Sequence, residues 1–220
     1  MAKKKKSLRW RLGALVVVCA IAWMKYQELL AQVDSSVVEV SAEAQKWGDF
    51  DLLSNCQLVS HGHNDGDSFH VATSKGEFEF RLYYVDAPES AAKTYRNGEN
   101  NFKRLAQQGR VMGGLSQKQT TAIGKEAKHF VNDLLGQQKF RVVTRWENVY
   151  GPERRYAFVL VRSNGQERYL HEILIEKGMA RIHTKPAKLP DGTSVSSQLR
   201  QLRKLEKMAK QQHQGAWGVK

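Results

Sequence analysis

Three carboxylates and one arginine lie close together in one short stretch of this sequence. Asp67 follows a glycine in a predicted turn, and Arg81, Asp86 and Glu89 mark the end of a later predicted strand. Carboxylates bind hard divalent cations, and a guanidinium matches phosphate oxygens in a bidentate manner. A cation site beside an arginine suits a phosphate diester, so this stretch predicts phosphoryl chemistry.

The same stretch is predicted to form a β-hairpin that positions these groups. Residues 68–73 and 77–85 show strand-like composition and are separated by the turn at Lys75-Gly76. Pro88 ends the second strand because it lacks a backbone N–H and keeps the preceding residue extended. Each piece alone is common in turns and strand ends. Their order, one hairpin apart, favours a functional site over a purely structural one.

Three separate segments resemble the thermonuclease (staphylococcal nuclease) family. They are Asp65-Gly66-Asp67, the run from Arg81 to Glu89, and Tyr150-Gly151 with Arg154 ahead of Tyr156-Ala157. The likeness extends over residues 58–217, with an interruption between 90 and 120. It implies an OB-fold barrel, one bound calcium ion, and cleavage of DNA and RNA that leaves 3′-phosphate ends.

The resemblance also gives roles to individual residues. Asp67 and Asp86 are the expected metal ligands, and the family implies that the Ala87 carbonyl completes the protein's share. Glu89 is the candidate general base. Arg81 and Arg154 are expected to bind the phosphate, and Tyr150 is expected to stack on a base. Asp65 either supports the metal ligands or only forms the turn.

The arginine after Tyr150 has to be chosen by register. Family members have Tyr-Gly-Arg, whereas here Pro152-Glu153 separates the glycine from Arg154 and Arg155. Counting backward from Ala157 selects Arg154, because the strand that follows has a register fixed by burial. A second family tyrosine, expected after the short C-terminal helix, has no counterpart; His183 and Lys185 occupy that region.

Strand-like and helix-like periods alternate through the rest of the chain. Strands are predicted near residues 58, 68–73, 77–85, 140–146 and 156–162, and helices over 121–136, 170–177 and from about 194. No parallel crossover pattern is evident. We therefore predict an α+β domain, which the resemblance refines to a small five-stranded OB-fold β-barrel with three helices.

Four segments are predicted along the chain. Residues 1–24, a basic leader followed by a short apolar run, are a signal peptide or an N-terminal membrane anchor. Residues 25–54 are a tether, and residues 55–220 are the nuclease-like domain, with an insertion at 90–119 in which a short helix is considered at 99–110. Both a cleaved signal peptide and an uncleaved anchor predict an exported protein. Such a protein would be secreted, periplasmic or anchored to the outer face of the cytoplasmic membrane.

Charge and cysteine content limit the functional classes. The formal net charge is +13, and much of it lies in the leader and the C-terminal helix, which favours a polyanionic partner. The two cysteines, Cys19 and Cys56, exclude a disulfide framework within a processed chain. DNA and RNA are the predicted partners, and no protein partner can be inferred. The alternative to a nuclease is a catalytically silent OB-fold domain that binds nucleic acid.

Overall fold

The computed structural model describes residues 21–28, 45–151 and 153–219. The chain divides into two compact units, Met1–Ala44 and Gln45–Lys220. In the first unit, residues 21–28 form an exposed helix, while most of the predicted leader and residues 29–44 of the predicted tether lie outside the described residues. Within the described ranges, no helix combines the length and the apolar character needed to cross a membrane.

Five strands of the second unit pair in a closed ring. Their order is β2 (Phe50–Leu58), β3 (Ser68–Thr73), β4 (Gly76–Leu82), β7 (Arg154–Ser163) and β6 (Phe140–Asn148), which pairs again with β2. The pairing of β4 with β7 is parallel, which the sequence did not indicate because the two strands are far apart in the chain. This arrangement confirms the predicted α+β barrel. The strands are β1 Gln45–Trp47, β2 Phe50–Leu58, β3 Ser68–Thr73, β4 Gly76–Leu82, β5 Val85–Asp86, β6 Phe140–Asn148, β7 Arg154–Ser163, β8 Gln166–Tyr169 and β9 Arg181–Ile182.

Four α-helices surround the ring: α1 Phe102–Val111, α2 Gln117–Gly136, α3 Leu170–Glu176 and α4 Val195–Gln211, followed by a 3-10 turn at Gly215–Gly218. Three of them match the predicted helices, and α1 lies in the insertion. The α2 helix begins earlier than predicted because Ser116 and Gln119 form a capping box around its first turn. The predicted end of the insertion at 119 therefore falls inside α2.

The domain also begins earlier than residue 55. Phe50 and Leu53 are buried in the core, and β2 pairs with both β3 and β6 to close the ring. A bulge between Leu53 and Cys56, where Asn55 has a φ of 56°, breaks the alternation that would have identified the strand. The predicted boundary at residue 55 lies within β2.

The core fills the ring and the space beneath α2. Phe69, Phe80 and Phe158 are fully buried, as are Ala127 and Val131 on the apolar face of α2. Cys56 is buried as a free thiol. Packing of α2 on the barrel places that helix directly behind the loop that follows β5, where the candidate site is formed.

Candidate active site

Asp67 ends the turn that opens β3, and its carboxylate is buried. Its Oδ2 accepts a hydrogen bond of 2.8 Å from the backbone N–H of Ala87. The turn approaches this loop closely because residue 66 is glycine: a Cβ there would lie 2.9 Å from the Ala87 Cβ and 2.8 Å from the Ala127 Cβ. The turn is therefore held between the loop after β5 and helix α2.

Arg81 forms ion pairs with Asp67 and Asp86, the two carboxylates that were predicted to bind a metal. The β3–β4 register pairs Ser68 with Arg81, which places the arginine beside Asp67. Its Nη2 lies 3.1 Å from Asp67 Oδ2 and 2.8 Å from Asp86 Oδ1. The structure thus brings together three of the predicted site residues at the ends of neighbouring strands.

Asp86 is surrounded by cations. Besides Arg81, the Arg104 Nη2 donates to its Oδ1 at 2.8 Å and the Arg181 Nε donates to its Oδ2 at 2.9 Å. Arg181 reaches this position because β9 pairs with β5, residue 181 opposite residue 86. Burial acts to raise the pKa of Asp86, but Arg104, the Gln108 amide and Arg81 outweigh it and lower that pKa. Asp86 is therefore ionised at neutral pH.

Asp65 forms the turn, and its carboxyl group has a raised pKa. Its backbone N–H donates to the Ser68 carbonyl at 2.7 Å, and its side chain accepts from the Gly66 N–H at 3.0 Å. Burial and, secondly, the nearby Asp67 raise the pKa of Asp65 to about 7. This residue can therefore hold a proton near neutral pH, at the edge of the carboxylate cluster.

Glu89 lies on the loop after β5, against the insertion. Its Oε1 is 3.1 Å from the Arg104 Nε, and its backbone N–H donates to the Gln108 Oε1 at 3.1 Å. The side chain keeps 20% exposure, so one face of the carboxylate remains accessible to solvent. The candidate base is thus beside Asp86 and is oriented by helix α1.

Arg154 opens β7 and faces the same cleft as Arg81. Both line a cavity of about 370 Å³, together with Arg104, Arg181 and Tyr150. The Arg154 Nε lies 2.8 Å from Glu79 Oε1, an ion-pair distance without the alignment of a hydrogen bond. The Tyr150 ring is fully exposed at the rim. Arg155, which pairs with Asn148 of β6, is not among the residues that line this cavity, whereas Arg154 is.

The donor set has the chemistry of a hard-cation site. Asp67, Asp86 and the Ala87 carbonyl supply only oxygen atoms, which calcium prefers. In this structure those oxygens contact nitrogen donors, and the Ala87 carbonyl accepts from the Gln108 Nε2 at 3.1 Å. Among the described residues, no group of three or more His, Cys, Asp or Glu side chains is arranged as a metal cage. Asp67, Asp86 and Ala87 thus offer the type of donor that a divalent cation requires, on oxygens that nitrogen donors contact in this structure.

Three residues at this site escaped the sequence-based reasoning: Arg104, Gln108 and Arg181. Arg104 and Gln108 lie four residues apart on α1, a spacing that puts both side chains on one helical face. That spacing was visible in the sequence, but the partner of this face was not. Arg181 gave no local signal, because only the β5–β9 pairing brings it to Asp86.

Comparison with known proteins identifies the family of this chain. A search of curated proteins finds no match to this chain. The model of the family described as Staphylococcal nuclease homologue matches residues 79–219, which include Arg81, Asp86, Glu89 and Arg154. Asp65 and Asp67 lie before the matched range. Since the match covers more than half of the 220 residues, the chain belongs to the staphylococcal nuclease homologue family.

Proposed function

We propose that this protein hydrolyses phosphodiester bonds in DNA and RNA with the help of one calcium ion, leaving 3′-phosphate ends. Membership in the nuclease family supports this reaction class. The observation that carries the proposal is the position of Arg81, buried between Asp67 and Asp86 in a cleft that Arg154 also lines. The cleft combines oxygen ligands for a cation with guanidinium groups for a phosphate.

The chain's own residues account for binding and proton transfer. Arg81 and Arg154 bind non-bridging oxygens of the diester and stabilise the charge that develops there, since guanidinium groups remain ionised. Glu89 accepts a proton from the attacking water at its carboxylate. Calcium, held by Asp67, Asp86 and Ala87, would neutralise diester charge and make a bound water more acidic.

Substrate selection rests on the rim of the cleft. Tyr150 offers an exposed ring on which a base stacks, and stacking tolerates any base sequence. His183, Thr184 and Lys185 line the opposite part of the cavity, where the family's second tyrosine is expected. A polar wall in place of an aromatic ring favours contacts with the sugar and phosphate of the neighbouring nucleotide.

One observation favours a second function, a silent domain that binds nucleic acid. Arg104 contacts both Asp86 and Glu89, so the two groups needed for ligation and proton transfer are engaged within the protein itself. In that case the cationic cleft would still bind the phosphate backbone. Cleavage, and not binding, separates the two functions.

The test is incubation of the purified protein with labelled single-stranded DNA and RNA, in calcium and in excess EDTA. We expect cleavage in calcium only, with product ends that carry a 3′-phosphate by mass spectrometry. Binding without cleavage at any calcium concentration would support the silent domain. Undiminished cleavage in EDTA would exclude the metal-dependent reaction.

We also propose that the protein is exported. The support is the basic leader followed by an apolar run within residues 1–24. Cell fractionation should find the folded domain beyond the cytoplasmic membrane, and the mass of the mature N-terminus should show whether the leader is cleaved. A cytoplasmic pool with an intact leader would contradict export.

A further inference from the structure

Helix α1 of the insertion is fixed by its own packing. Leu105 and Gly109 are buried, and α1 packs against α2. Gly109 permits this contact, since a Cβ there would lie 2.5 Å from the Leu115 carbonyl oxygen. The helix is therefore held in place independently of its polar contacts with the candidate site.

From that position, two side chains on one face of α1 reach the site. Gln108 bonds to Asp86 Oδ2 at 3.0 Å and to the Ala87 carbonyl at 3.1 Å, and it accepts from the Glu89 N–H. Arg104 bridges Asp86 Oδ1 at 2.8 Å and Glu89 Oε1 at 3.1 Å. The insertion thus supplies an amide and a positive charge directly to the atoms expected to hold a cation.

The three arginines on Asp86 differ in their freedom to leave it. The side chain of Arg81 is 10% exposed and that of Arg181 is 4% exposed, so both are enclosed by the fold. The side chain of Arg104 is 44% exposed and projects from a helix surface. A long side chain of this kind can turn into solvent without movement of its backbone. Arg104 is the guanidinium that can yield its place on Asp86.

We propose that Arg104 is a built-in counter-cation that competes with the divalent ion for Asp86 and thereby sets the calcium affinity of the site. The inference rests on the proposed function in taking calcium as the ion bound there. Calcium requires ligand oxygens at 2.3–2.6 Å. Asp86 Oδ1 carries two guanidinium nitrogens, from the enclosed Arg81 and from Arg104, each at 2.8 Å. Calcium at this oxygen is repelled by both cations, and departure of Arg104 removes the share of the repulsion that the fold allows to leave.

The competition has a second consequence for Glu89. While Arg104 stays on Asp86, it also holds the Glu89 carboxylate. Departure of Arg104 from Asp86 would also break its contact with Glu89, which would keep the Asn101 amide at 3.4 Å from its Oε2. Loss of Arg104 from the metal ligand and from the candidate base is therefore coupled, and Arg104 acts as a positioning residue.

The experiment measures calcium binding alone, by isothermal titration calorimetry on the full protein without nucleic acid. We expect Arg104→Gln to tighten calcium binding by about tenfold, the usual size of one charge-assisted contact. Arg110→Gln is the matched control, because it removes an exposed arginine from the last turn of the same helix. Arg104→Lys, which keeps the charge, should lie closer to the wild-type protein.

A purely structural role for Arg104 predicts a different pattern. Loss of a structural contact would lower thermal stability in EDTA without tightening calcium binding. Equal or weaker calcium affinity in Arg104→Gln, or an equal gain in Arg110→Gln, would overturn the proposal. Cleavage assays on the same samples test the nuclease activity separately from the competition. Calcium-dependent cleavage, with the same calcium affinity in Arg104→Gln as in the wild-type protein, would refute only the competition. Tighter calcium binding by Arg104→Gln, without cleavage by the wild-type protein, would refute only the nuclease activity.

Discussion

The Glu89 carbonyl oxygen lies 2.5 Å from the position that a Cβ would take on Gly124 of α2. The Pro88 carbonyl oxygen is at the same distance. The loop that carries the candidate base is therefore seated against the backbone of a helix, and its position depends on the absence of one methyl group. This contact joins the site to the core of the domain.

Gly124→Ala should therefore lower both stability and activity. The added methyl group meets backbone atoms that cannot rotate away, so we expect a loss of about 1–3 kcal/mol, as for other overpacked sites, and a displaced Glu89. Gly136→Ala in the same helix is the control, because it meets no atom within 4 Å. That change should be neutral or slightly stabilising. Denaturant unfolding and initial cleavage rates measure the two effects, and equal behaviour of the two variants would contradict the contact.

Glu89→Gln should lower kcat while leaving substrate binding nearly unchanged. An amide cannot accept the proton of an attacking water, and loss of a general base usually costs about two to four orders of magnitude. Single-turnover cleavage of a short DNA measures the chemical step. Glu126→Gln, at an exposed position on α2, is the control. A Glu89→Gln variant with wild-type kcat would show that this carboxylate does not take the proton.

Arg154→Ala should reduce kcat/KM far more than Arg155→Ala. Arg154 lines the cleft with Arg81, whereas Arg155 pairs with Asn148 in β6. Removal of a group that binds developing charge costs about 3 kcal/mol of transition-state stabilisation. The reverse ranking of the two variants would show that the loop around residues 152–153 alters the register when substrate binds.

The contribution of His171 to the stability of the domain should fall as the pH falls below neutrality, whereas Asp65, whose raised pKa favours proton uptake by the folded state, acts in the opposite direction. Burial lowers the pKa of His171 to about 3, and its ring stacks on Tyr84. In the unfolded chain this histidine takes up a proton near pH 6.5, while the folded protein stays neutral there. The contribution of His171 to the free energy of unfolding is therefore fully present above about pH 6.5. It declines toward pH 3 by up to about 1.4 kcal/mol for each pH unit.

Denaturant unfolding at several pH values measures this slope. His171→Gln should remove the His171 contribution, so that lowering the pH costs this variant less stability than it costs the wild-type protein, although the variant is less stable at neutral pH. His129→Gln, at an exposed position on α2, should leave the slope unchanged. If the slope between pH 6 and 4 persists in His171→Gln, other groups carry the pH dependence.

The sequence by itself determined the local parts of this site. The Asp-Gly-Asp turn, the strand that ends at Asp86 and the apolar stripe of α2 follow from turn residues and periodicity, which depend on neighbours a few positions away. The choice of Arg154 was counted backward from Ala157, and Arg154 does line the cleft. Burial alone does not fix the register of β7, because Tyr156 to Val161 are buried on both faces of the strand.

Only the tertiary structure determined which side chains contact Asp86. Arg104, Gln108 and Arg181 reach it from 18, 22 and 95 residues away in the chain. The closing strand β2 was likewise hidden by its bulge until its pairing with β6 was seen. Periodicity reports the face that a residue occupies but not the element that lies opposite. The insertion was therefore predicted as a loop with at most one short helix, whereas in the fold it brings Arg104 and Gln108 into contact with Asp86.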